Sequence, residues 1–447
     1  MGLALAAVVV LALLALVHRY VWRRFVGDTT TAGSLPRRAG TVAVYVLPLL
    51  SVGALVSGRT GAPFWLQRVL AWPGYLWLAA LLYLTLALLA GEAVRPLLRR
   101  LLARRTAGTR EATAEAPEGA VAASEAAVAA TGAPTPGART PEALAPEAPD
   151  PAPPSASPAS LSTPSLSTPS LSTPSRRLFV ARAVGGAAAV AGLGTTGYGA
   201  YGVLRGPRVK RVTVPLARLP RSAHGFRIAV VSDIHLGPIL GRAHTQRIVD
   251  TVNRTQPDLI AVVGDLVDGS VADLGPAAEP LARLRSRHGA FFVTGNHEYY
   301  SGAAEWVDHV RELGLHPLEN ARVEIGAFDL AGVNDLAGGS EGQGPDFGRA
   351  LGDRDRSRAA VLMAHQPVVI DEAVQCGVDL QLSGHTHGGQ LWPGNYLAEL
   401  SNPTVAGLER YGDTQLYVTR GAGAWGPPVR VGAPSDITVV ELAARQA

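Results

Sequence analysis

The chain is poor in cysteine and in charged residues, and each shortage excludes a class of protein. It has 447 residues but only one cysteine, Cys376, and 17% of its residues are charged. A single cysteine excludes both a disulfide within the chain and a zinc site built from thiolates, so any metal must be held by His, Asp, Asn or Glu. So little charge beside 47% hydrophobic residues indicates membrane segments rather than a wholly soluble protein.

Four apolar runs precede residue 206. A helix that spans a bilayer needs about 20 mostly apolar residues. The runs are 3–17 with its aromatic extension 20–22, then 41–56, 69–90 and 178–204. The second contains Pro48, and the fourth is rich in Gly and Ala and is the least hydrophobic. We predict a membrane domain of three transmembrane helices in residues 1–105 and a fourth transmembrane or signal-anchor segment in residues 176–205.

The arginines beside these runs predict an orientation. Between the first two runs lie Arg19, Arg23, Arg24, Arg37 and Arg38, and after the third lie Arg95, Arg99, Arg100, Arg104 and Arg105. Between the second and third runs lie only Arg59 and Arg68. By the positive-inside rule, the first loop and the segment after residue 105 are cytoplasmic, and residues 206–447 are extracytoplasmic. The net charge of +4 therefore reflects membrane topology, and no nucleic-acid partner is expected.

Residues 106–175 consist mainly of Ala, Pro, Ser, Thr and Glu, and Ser-Leu-Ser-Thr-Pro occurs three times between Ser160 and Pro174. Such a stretch buries too little apolar surface to offset the entropy lost on ordering, so we expect a disordered linker. It ends in Ser175-Arg176-Arg177-Leu178-Phe179, which resembles a twin-arginine export signal. The alternative is a pair of ordinary cytoplasmic stop-transfer arginines. Both interpretations place the following domain outside, and Ala200-Tyr201-Gly202 is so poor a cleavage site that we expect the segment to be retained.

From about residue 208 the pattern is that of a globular α/β domain, residues 206–447. Five apolar runs, 228–231, 259–263, 291–293, 361–364 and 380–382, read as strands buried on both faces. Helices are expected between them, for example at 245–255 and 279–287. Each strand runs into Asp, Asn or His. Ligands of such sheets bind at the carboxyl ends of the strands, so these polar residues should meet at one site.

The residue types at these strand ends suit a pair of metal ions. Asp233 and His235 straddle one residue, so an extended segment can point both to one side. Asp265 follows a glycine, and its two carboxylate oxygens can bridge two cations. His365, the pair His385 and His387, and the neutral Asn296 complete the set. Such ligands suit Mn, Fe, Zn or Mg ions. Two cations about 3.5–4 Å apart could hold an activated water and clamp a phosphoryl group.

Each cluster alone is weak evidence. A lone Asp-x-His is usually a surface pair, Gly-Asp is usually a turn, and Gly-Asn-His-Glu can be a helix cap. All of them together, each at the end of a strand, favour a metal site. Six histidines lack such a setting and are expected to be structural: His18, His224, His244, His288, His309 and His316.

The ordered motifs Asp-x-His, Gly-Asp-x-x-Asp, Gly-Asn-His-Glu, His and Gly-His-Thr-His resemble those of the calcineurin-like metallophosphoesterase superfamily. The resemblance covers about residues 208–442. Within it, residues 384–390 and 423–430 are similar to a bacterial membrane-associated branch. The resemblance implies a four-layer α/β/β/α sandwich, in which two facing mixed sheets are flanked by helices and the metals lie at one end.

The same resemblance implies roles for single residues. One metal would be held by Asp233, His235 and His387. The other would be held by Asn296, His365 and His385, and Asp265 would bridge the two. His297 would protonate the leaving oxygen or steady the phosphate. Asp268 and Glu298 match motif positions, and we expect them to orient the ligands through hydrogen bonds.

The function expected is metal-dependent hydrolysis of a phosphomonoester or phosphodiester on the extracytoplasmic face. A lipid-linked or cell-envelope substrate is the candidate that membrane anchoring favours. The alternative is a non-catalytic metal-binding scaffold or sensor. Residues 391–393 and 425–428 each contain a tryptophan. These segments either line the substrate groove or pack the C-terminal loops, and the sequence leaves both possibilities open.

Overall fold

The structure is a computed structural model that describes residues 2–114 and 176–445. Each of the four apolar runs lies in a helix: α1 (Gly2–Trp22), α2 (Leu35–Ser57), α3 (Phe64–Ala114) and α4 (Arg176–Leu204). Among the described residues, Leu35–Ser57, Phe64–Leu101 and Arg176–Leu204 are long and apolar enough to cross a membrane. Length and composition thus support membrane association.

Helix α3 extends into the segment that was predicted to be a disordered linker. The linker was expected to begin at residue 106, but the helix ends at Ala114. Residues 106–114 contain three alanines together with Arg110 and Glu111, which are good helix formers, and the helix continues through them despite three threonines and Gly108. Residues 115–175, including the Ser-Leu-Ser-Thr-Pro repeat, lie outside the described residues, so the predicted disorder there stays a prediction.

The chain divides into two compact units, Met1–Gly91 with Arg182–Ala447 in one and Glu92–Ala181 in the other. Within the first unit, α2 and α3 approach closely at Gly74. A Cβ atom at this position would overlap the carbonyl oxygen of Leu50 and the side chain of Ala54. Ser51 Oγ donates to the Gly74 carbonyl at 2.8 Å, which fixes the crossing. In the second unit, Arg95 and Glu92 pair at 3.4 Å one turn apart on α3.

Twelve strands form two six-stranded sheets in the second half of the chain. They are β1 (Arg208–Leu216), β2 (Phe226–Val231), β3 (Leu259–Val263), β4 (Ala290–Val293), β5 (His316–Pro317), β6 (Ala321–Ile325), β7 (Phe328–Gly332), β8 (Ala359–Met363), β9 (Leu380–Ser383), β10 (Gly407–Tyr411), β11 (Thr414–Val418) and β12 (Asp436–Ala444). One sheet has the order β1-β12-β2-β3-β4-β5 and the other β10-β11-β9-β8-β7-β6. Both sheets are mixed, since β2–β3–β4 and β7–β8–β9 are parallel while β12–β2 and β10–β11 are antiparallel.

The two sheets face each other across the main core. Buried side chains come from both sheets, such as Val230 and Val263 on one side and Leu330 and Val361 on the other. Helices α5 (Arg242–Arg254), α6 (Val271–Ala278) and α8 (Ala303–Glu312) cover the outer face of the first sheet, and α9 (Phe347–Leu351) and α10 (Ile370–Gln375) that of the second. Two short helices, α7 (Asn296–Ser301) and α11 (Gly394–Ala398), follow strand ends or loops. The four-layer α/β/β/α sandwich is therefore confirmed.

The five expected strands are present as β2, β3, β4, β8 and β9, and the helix expected at 245–255 is α5. The prediction of a helix at 279–287 was wrong. Helix α6 lies before it, and only the 3₁₀ turn Glu279–Arg283 occupies its first half. Pro280 lacks an N–H for helical hydrogen bonding, and Leu284 leaves the helix with extended backbone angles of −62° and 136°.

The C-terminal loops of this half pack on the apolar helices of the same unit. Tyr83 of α3 contacts Val429, and its hydroxyl donates to the carbonyl of Trp392 at 3.1 Å. The backbone N–H of Arg430 donates to the carbonyl of Gly199 in α4 at 3.3 Å. A Cβ atom at Gly199 would overlap Val429, so the glycine permits this close approach.

Candidate metal centre

The seven expected ligands follow the carboxyl ends of five strands, three neighbouring parallel strands of one sheet and two neighbouring parallel strands of the other. They are Asp233 and His235 after β2, Asp265 after β3, Asn296 after β4, His365 after β8, and His385 and His387 after β9. Six of them fall into two groups whose potential ligand atoms lie within 4.8 Å of one another. The first group is Asp233, His235 and His387, and the second is Asp265, His365 and His385.

The first group is packed closely enough to hold one ion. The Nε2 atoms of His235 and His387 are 3.0 Å apart, and their rings stack with centroids 4.9 Å apart. His387 Nε2 lies 3.4 Å from Asp233 Oδ1. Asp233 is fully buried, and its carboxylate also accepts the backbone N–H of His385 at 3.0 Å.

The carboxylate of Asp265 belongs to the second group and also approaches a histidine of the first. Its Oδ2 atom is 3.1 Å from His365 Nε2 and 3.7 Å from His235 Nε2. Its Oδ1 atom accepts the backbone N–H of His297 at 2.9 Å. One carboxylate therefore faces a histidine of each group, which is the arrangement that a bridging ligand requires.

One buried polar atom of this site, Asn296 Oδ1, has no hydrogen-bond partner among the described residues. A buried acceptor without a partner is costly, so its position calls for a bound ion or water. Oxygen and imidazole donors without thiolate match the preferences of divalent cations such as Mn, Fe and Zn. The residues present thus fit a pair of divalent ions.

Five of the seven residues have left-handed backbone conformations that side chains rarely adopt. Asp233, His235, Asp265, His385 and His387 have φ angles between 48° and 71°. Each such residue costs about 1–3 kcal/mol, and surrounding structure must hold it there. Strain concentrated on these five positions indicates that the fold aims their side chains inward at the expense of local stability.

Two glycines make room for the ligands. A Cβ atom at Gly295 would overlap the carboxylate of Asp265, and one at Gly384 would overlap Asp233 and the Ser232 hydroxyl. The glycines in the Gly-Asn-His-Glu and Gly-His-Thr-His motifs are therefore needed for close approach of backbone to carboxylate.

Asp268 connects two histidines at the edge of the site. Its Oδ1 atom lies 2.8 Å from His235 Nδ1 and 2.7 Å from His297 Nδ1. Together these three residues form a third group of potential ligands. Although burial opposes ionisation, the two imidazoles lower the pKa of Asp268 to about 2. Asp268 thus makes the orienting hydrogen bonds expected of it.

Glu298 holds the backbone of two ligand loops rather than a ligand side chain. The buried carboxylate accepts the N–H groups of Asp265 at 3.0 Å, Leu266 at 2.7 Å and Gly295 at 2.6 Å. Burial and the nearby charge of Asp265 raise the pKa of Glu298 to about 7, against the three donors, which favour its ionised form. The loops after β3 and β4 are thereby fixed to each other.

Arg430 is a member of the site to which the sequence analysis gave no role. Its buried guanidinium donates to the carbonyls of Gly423 at 2.7 Å and His387 at 3.0 Å, and lies 2.9 Å from His387 Nδ1. Burial lowers its pKa to about 10. The sequence gives little indication of this role, because a single arginine after Pro-Pro-Val is typical of the protein surface. Only the folded C-terminal loop brings Arg430 to His387.

Within each group the pKa of one histidine is raised and that of the other is lowered, with His235 and His365 raised. Burial alone would lower the pKa of His235, but the carboxylates of Asp268 and Asp265 outweigh it and raise the pKa to about 9. Burial and the adjacent His365 lower the pKa of His385 to about 4. Burial also lowers the pKa of His387. The six histidines expected to be structural are absent from the three ligand groups found among the described residues.

A cavity of about 500 Å³ adjoins His235, Asp268 and His297, and Trp425 lines it. The tryptophan of residues 425–428 therefore reaches the open side of the site, where its ring centroid is 5.9 Å from that of His297. Leu391, in contrast, packs with Tyr83 of α3. A larger cavity of about 660 Å³ lies at the opposite ends of the strands, beside Phe226 and Arg358, away from all candidate ligands.

Comparison with known proteins identifies the family to which the chain is similar. The model of the calcineurin-like phosphoesterase family matches residues 226–389. The chain is 40% identical over 259 residues to a transmembrane protein with metallophosphoesterase domain from Danio rerio, a match that covers 55% of this chain and 59% of that protein. It is 35% identical over 240 residues to an uncharacterized metallophosphoesterase from Aquifex aeolicus, covering 53% of this chain and 91% of that one. A solved dimetal phosphatase from Danio rerio aligns with a TM-score of 0.35 and 13% identity, over 49% of this chain and 93% of that structure.

Proposed function

Since the chain belongs to the calcineurin-like phosphoesterase family, we propose that it hydrolyses phosphomonoesters or phosphodiesters with a water activated by two divalent metal ions. The position of the Asp265 carboxylate between two ligand groups carries this proposal, because a dinuclear centre needs one shared ligand. The chain spans 59% of the length of the Danio rerio relative, so the activity of the whole protein is part of the proposal.

We assign one ion to Asp233, His235 and His387, and the other to Asn296, His365 and His385, with Asp265 shared. Bound in pairs, such ions polarise phosphoryl oxygens and activate a water for attack on phosphorus. Four imidazoles among seven ligands favour Mn, Fe or Zn over Mg, which prefers oxygen.

His297 is the proposed acid. In hydrolysis, the water oxygen bonds to phosphorus, the P–O bond to the leaving group breaks, the leaving oxygen takes a proton, and the water proton passes to solvent. His297 Nδ1 is engaged by Asp268 at 2.7 Å, so Nε2 is the nitrogen left to donate. The contact with the Asp268 carboxylate holds the His297 ring in place during the transfer.

The catalytic half is proposed to lie on the extracytoplasmic face of a multi-pass membrane protein. The support is the distribution of arginine: the turn between α2 and α3, which carries Arg59, borders the same cavity as His235 and His297. By the positive-inside rule, the side with few arginines is the outer one. A lipid-linked or cell-envelope phosphoester would be the substrate within reach, and the twin-arginine machinery is the proposed export partner if α4 begins as its signal.

Hydrolysis is tested with the full-length protein in detergent, loaded with Mn or Zn and supplied with para-nitrophenyl phosphate and its bis-ester. We expect turnover with at least one ester, loss of turnover in Asp265→Ala, and a kcat about 10²–10⁴-fold lower in His297→Ala. His309→Ala is the matched control, since His309 lies on α8 away from the ligand groups, and should keep wild-type kcat. Two bound metals without turnover on a broad phosphoester panel would instead favour the non-catalytic scaffold.

A further inference from the structure

The cavity beside the metal centre has walls of two kinds. One wall comes from the site itself and includes His235, Asp268 and His297. The other wall, here called the helix wall, comes from two apolar helices and includes Leu55 in the last turn of α2 and Leu78 in the first half of α3. The catalytic site therefore opens against helices that are long and apolar enough to cross a membrane.

The cavity lining combines titratable and apolar side chains. His235, Asp268 and His297 belong to the metal centre, and the apolar lining includes Leu55 and Leu78 of the helices and Ile239 and Leu240 of the loop after β2. The helices also contribute the polar residues Ser57, Gln67 and Tyr75, and Arg59 is the one arginine or lysine among the described residues that line the cavity. A ligand that fits this lining has an anionic group at the metal centre and a hydrocarbon segment against the apolar side chains.

The helix wall is continuous with the exposed apolar surface of α2. Leu55 lines the cavity and is still 37% exposed, and its neighbours Val52 and Val56 on α2 are also exposed. At Leu55 the cavity thus meets the uncovered apolar face of a candidate span. A hydrocarbon chain in the bilayer would reach the cavity there without crossing water.

The segment after the Gly-His-Thr-His motif carries an exposed apolar patch, here called the rim, outside the residues that line the cavity. Trp392, Tyr396, Leu397 and Leu400 are between 49% and 83% exposed, and they are clustered within nine residues. The hydrogen bond from Tyr83 to Trp392 ties this rim to α3. Exposed apolar patches of this kind mark contacts with membranes or partners, and the attachment to an apolar helix favours the membrane interface here.

We infer that the substrate is a membrane-resident amphiphile, a phosphoester whose phosphate lies beside His297 and whose hydrocarbon chain lies between Leu55, Leu78 and Leu240. This inference rests on the proposed hydrolysis and names its substrate class. A cavity of about 500 Å³ is within the range of about 300–1,000 Å³ that is usual for ligand pockets. A small soluble ester would leave the apolar end of such a cavity in contact with water, whereas an alkyl chain would fill it.

The test is a series of para-nitrophenyl alkyl phosphodiesters and alkyl phosphates with ethyl, butyl, hexyl and octyl chains. The metal-loaded full-length protein is embedded in nanodiscs, and kcat/KM is measured for each chain length. Complete burial of one methylene is worth about a fourfold gain in affinity. We expect kcat/KM to rise at least tenfold from ethyl to octyl.

Variants separate the cavity from general partition into the bilayer. In Leu55→Asn and Leu78→Asn, the ratio of kcat/KM for the octyl ester to kcat/KM for the ethyl ester should be at least tenfold lower than in the wild-type protein. Leu49→Asn is the matched control, because Leu49 lies on α2 with 70% exposure and does not line the cavity. It should keep the wild-type dependence. Partition of the substrate into the bilayer is the same for the wild-type protein and the three variants, so a difference in their chain-length dependence must come from the cavity.

The experiment distinguishes failure of the substrate inference from failure of the hydrolase proposal. A flat series with measurable hydrolysis overturns the inference and leaves the hydrolase proposal standing. A rise that persists unchanged in both cavity variants also overturns it. If no ester is cleaved, the hydrolase proposal fails, and calorimetric binding of octylphosphonate decides the inference alone. Binding of octylphosphonate at least tenfold tighter than ethylphosphonate, lost in Leu55→Asn, supports the cavity, and equal binding of the two overturns it.

Discussion

Glu298 is a buried carboxylate whose two oxygens accept three backbone N–H groups of the loops after β3 and β4. In Glu298→Gln, one oxygen becomes an amide that faces N–H donors, so at least one hydrogen bond is lost. We expect the free energy of unfolding to fall by about 1.5–3 kcal/mol. Metal affinity should fall about 10–100-fold, since the loops that carry Asp265 and Asn296 lose their tether.

Thermal melts and metal titrations of the full-length protein measure both effects. Glu372→Gln is the control, because Glu372 is an exposed residue of α10. If Glu298→Gln changed melting but not metal affinity, the carboxylate would stabilise the fold without positioning the ligands.

The metal affinity of the protein should depend on pH through His235. The Asp268 and Asp265 carboxylates overcome burial and raise its pKa to about 9, so the metal-free protein keeps this ring protonated at neutral pH. A metal must displace that proton. Affinity should therefore rise about tenfold per pH unit for each proton displaced, and level off above about pH 9. Titrations between pH 6 and 10 measure this.

Asp268→Asn tests the cause of that pH dependence. Without the carboxylate, burial lowers the pKa of His235, and affinity should level off nearer neutral pH. An affinity that stays constant from pH 6 to 9 in the wild-type protein would show that no proton leaves His235 on binding.

At the scale of elements, helix α8 supports the loop that carries Asp268. Trp306 of α8 is fully buried, and its Nε1–H donates to the carbonyl of Gly269 at 2.9 Å. Trp306→Phe keeps an aromatic ring but loses this hydrogen bond and some volume. We expect a loss of about 1–3 kcal/mol in the free energy of unfolding and a change in kcat below about tenfold. Thermal melts and kinetics check this, with Trp65→Phe, at a position that is 66% exposed, as the neutral control.

Strand prediction succeeded where the apolar run was continuous. The predicted runs within β2, β3, β4 and β8 are buried on both faces and apolar at every position, so they are visible in the sequence, and the run in β9 is interrupted only by the buried Gln381. β1 was not predicted, since four of its residues are arginine, lysine or threonine and seven of its nine residues are exposed or half-buried. Its pairing is with β12, more than 200 residues away, in parallel register from Arg208 with Asp436 to Leu216 with Ala444.

At the scale of the whole molecule, orientation can be tested with cysteine labelling. In a Cys376→Ser background, Ser340→Cys places a thiol on the exposed surface of the catalytic half, and Thr31→Cys places one in the turn between α1 and α2. We expect a membrane-impermeant maleimide to label Ser340→Cys in intact cells and Thr31→Cys only after lysis, because the positive-inside rule assigns the arginine-rich turn to the cytoplasm. Labelling in the opposite order would reverse the proposed topology.

The sequence by itself determined which residues could hold metals and which segments are apolar enough for a membrane. These features depend on residue types and on spacing within a few positions, so Asp233 with His235, or His385 with His387, can be read locally. Tertiary structure alone decided the left-handed backbone at five ligands, the place of Arg430 behind His387, and the cavity shared by Leu55 and His297. Each of these arises from contacts between residues far apart in the chain, and no local pattern encodes such contacts.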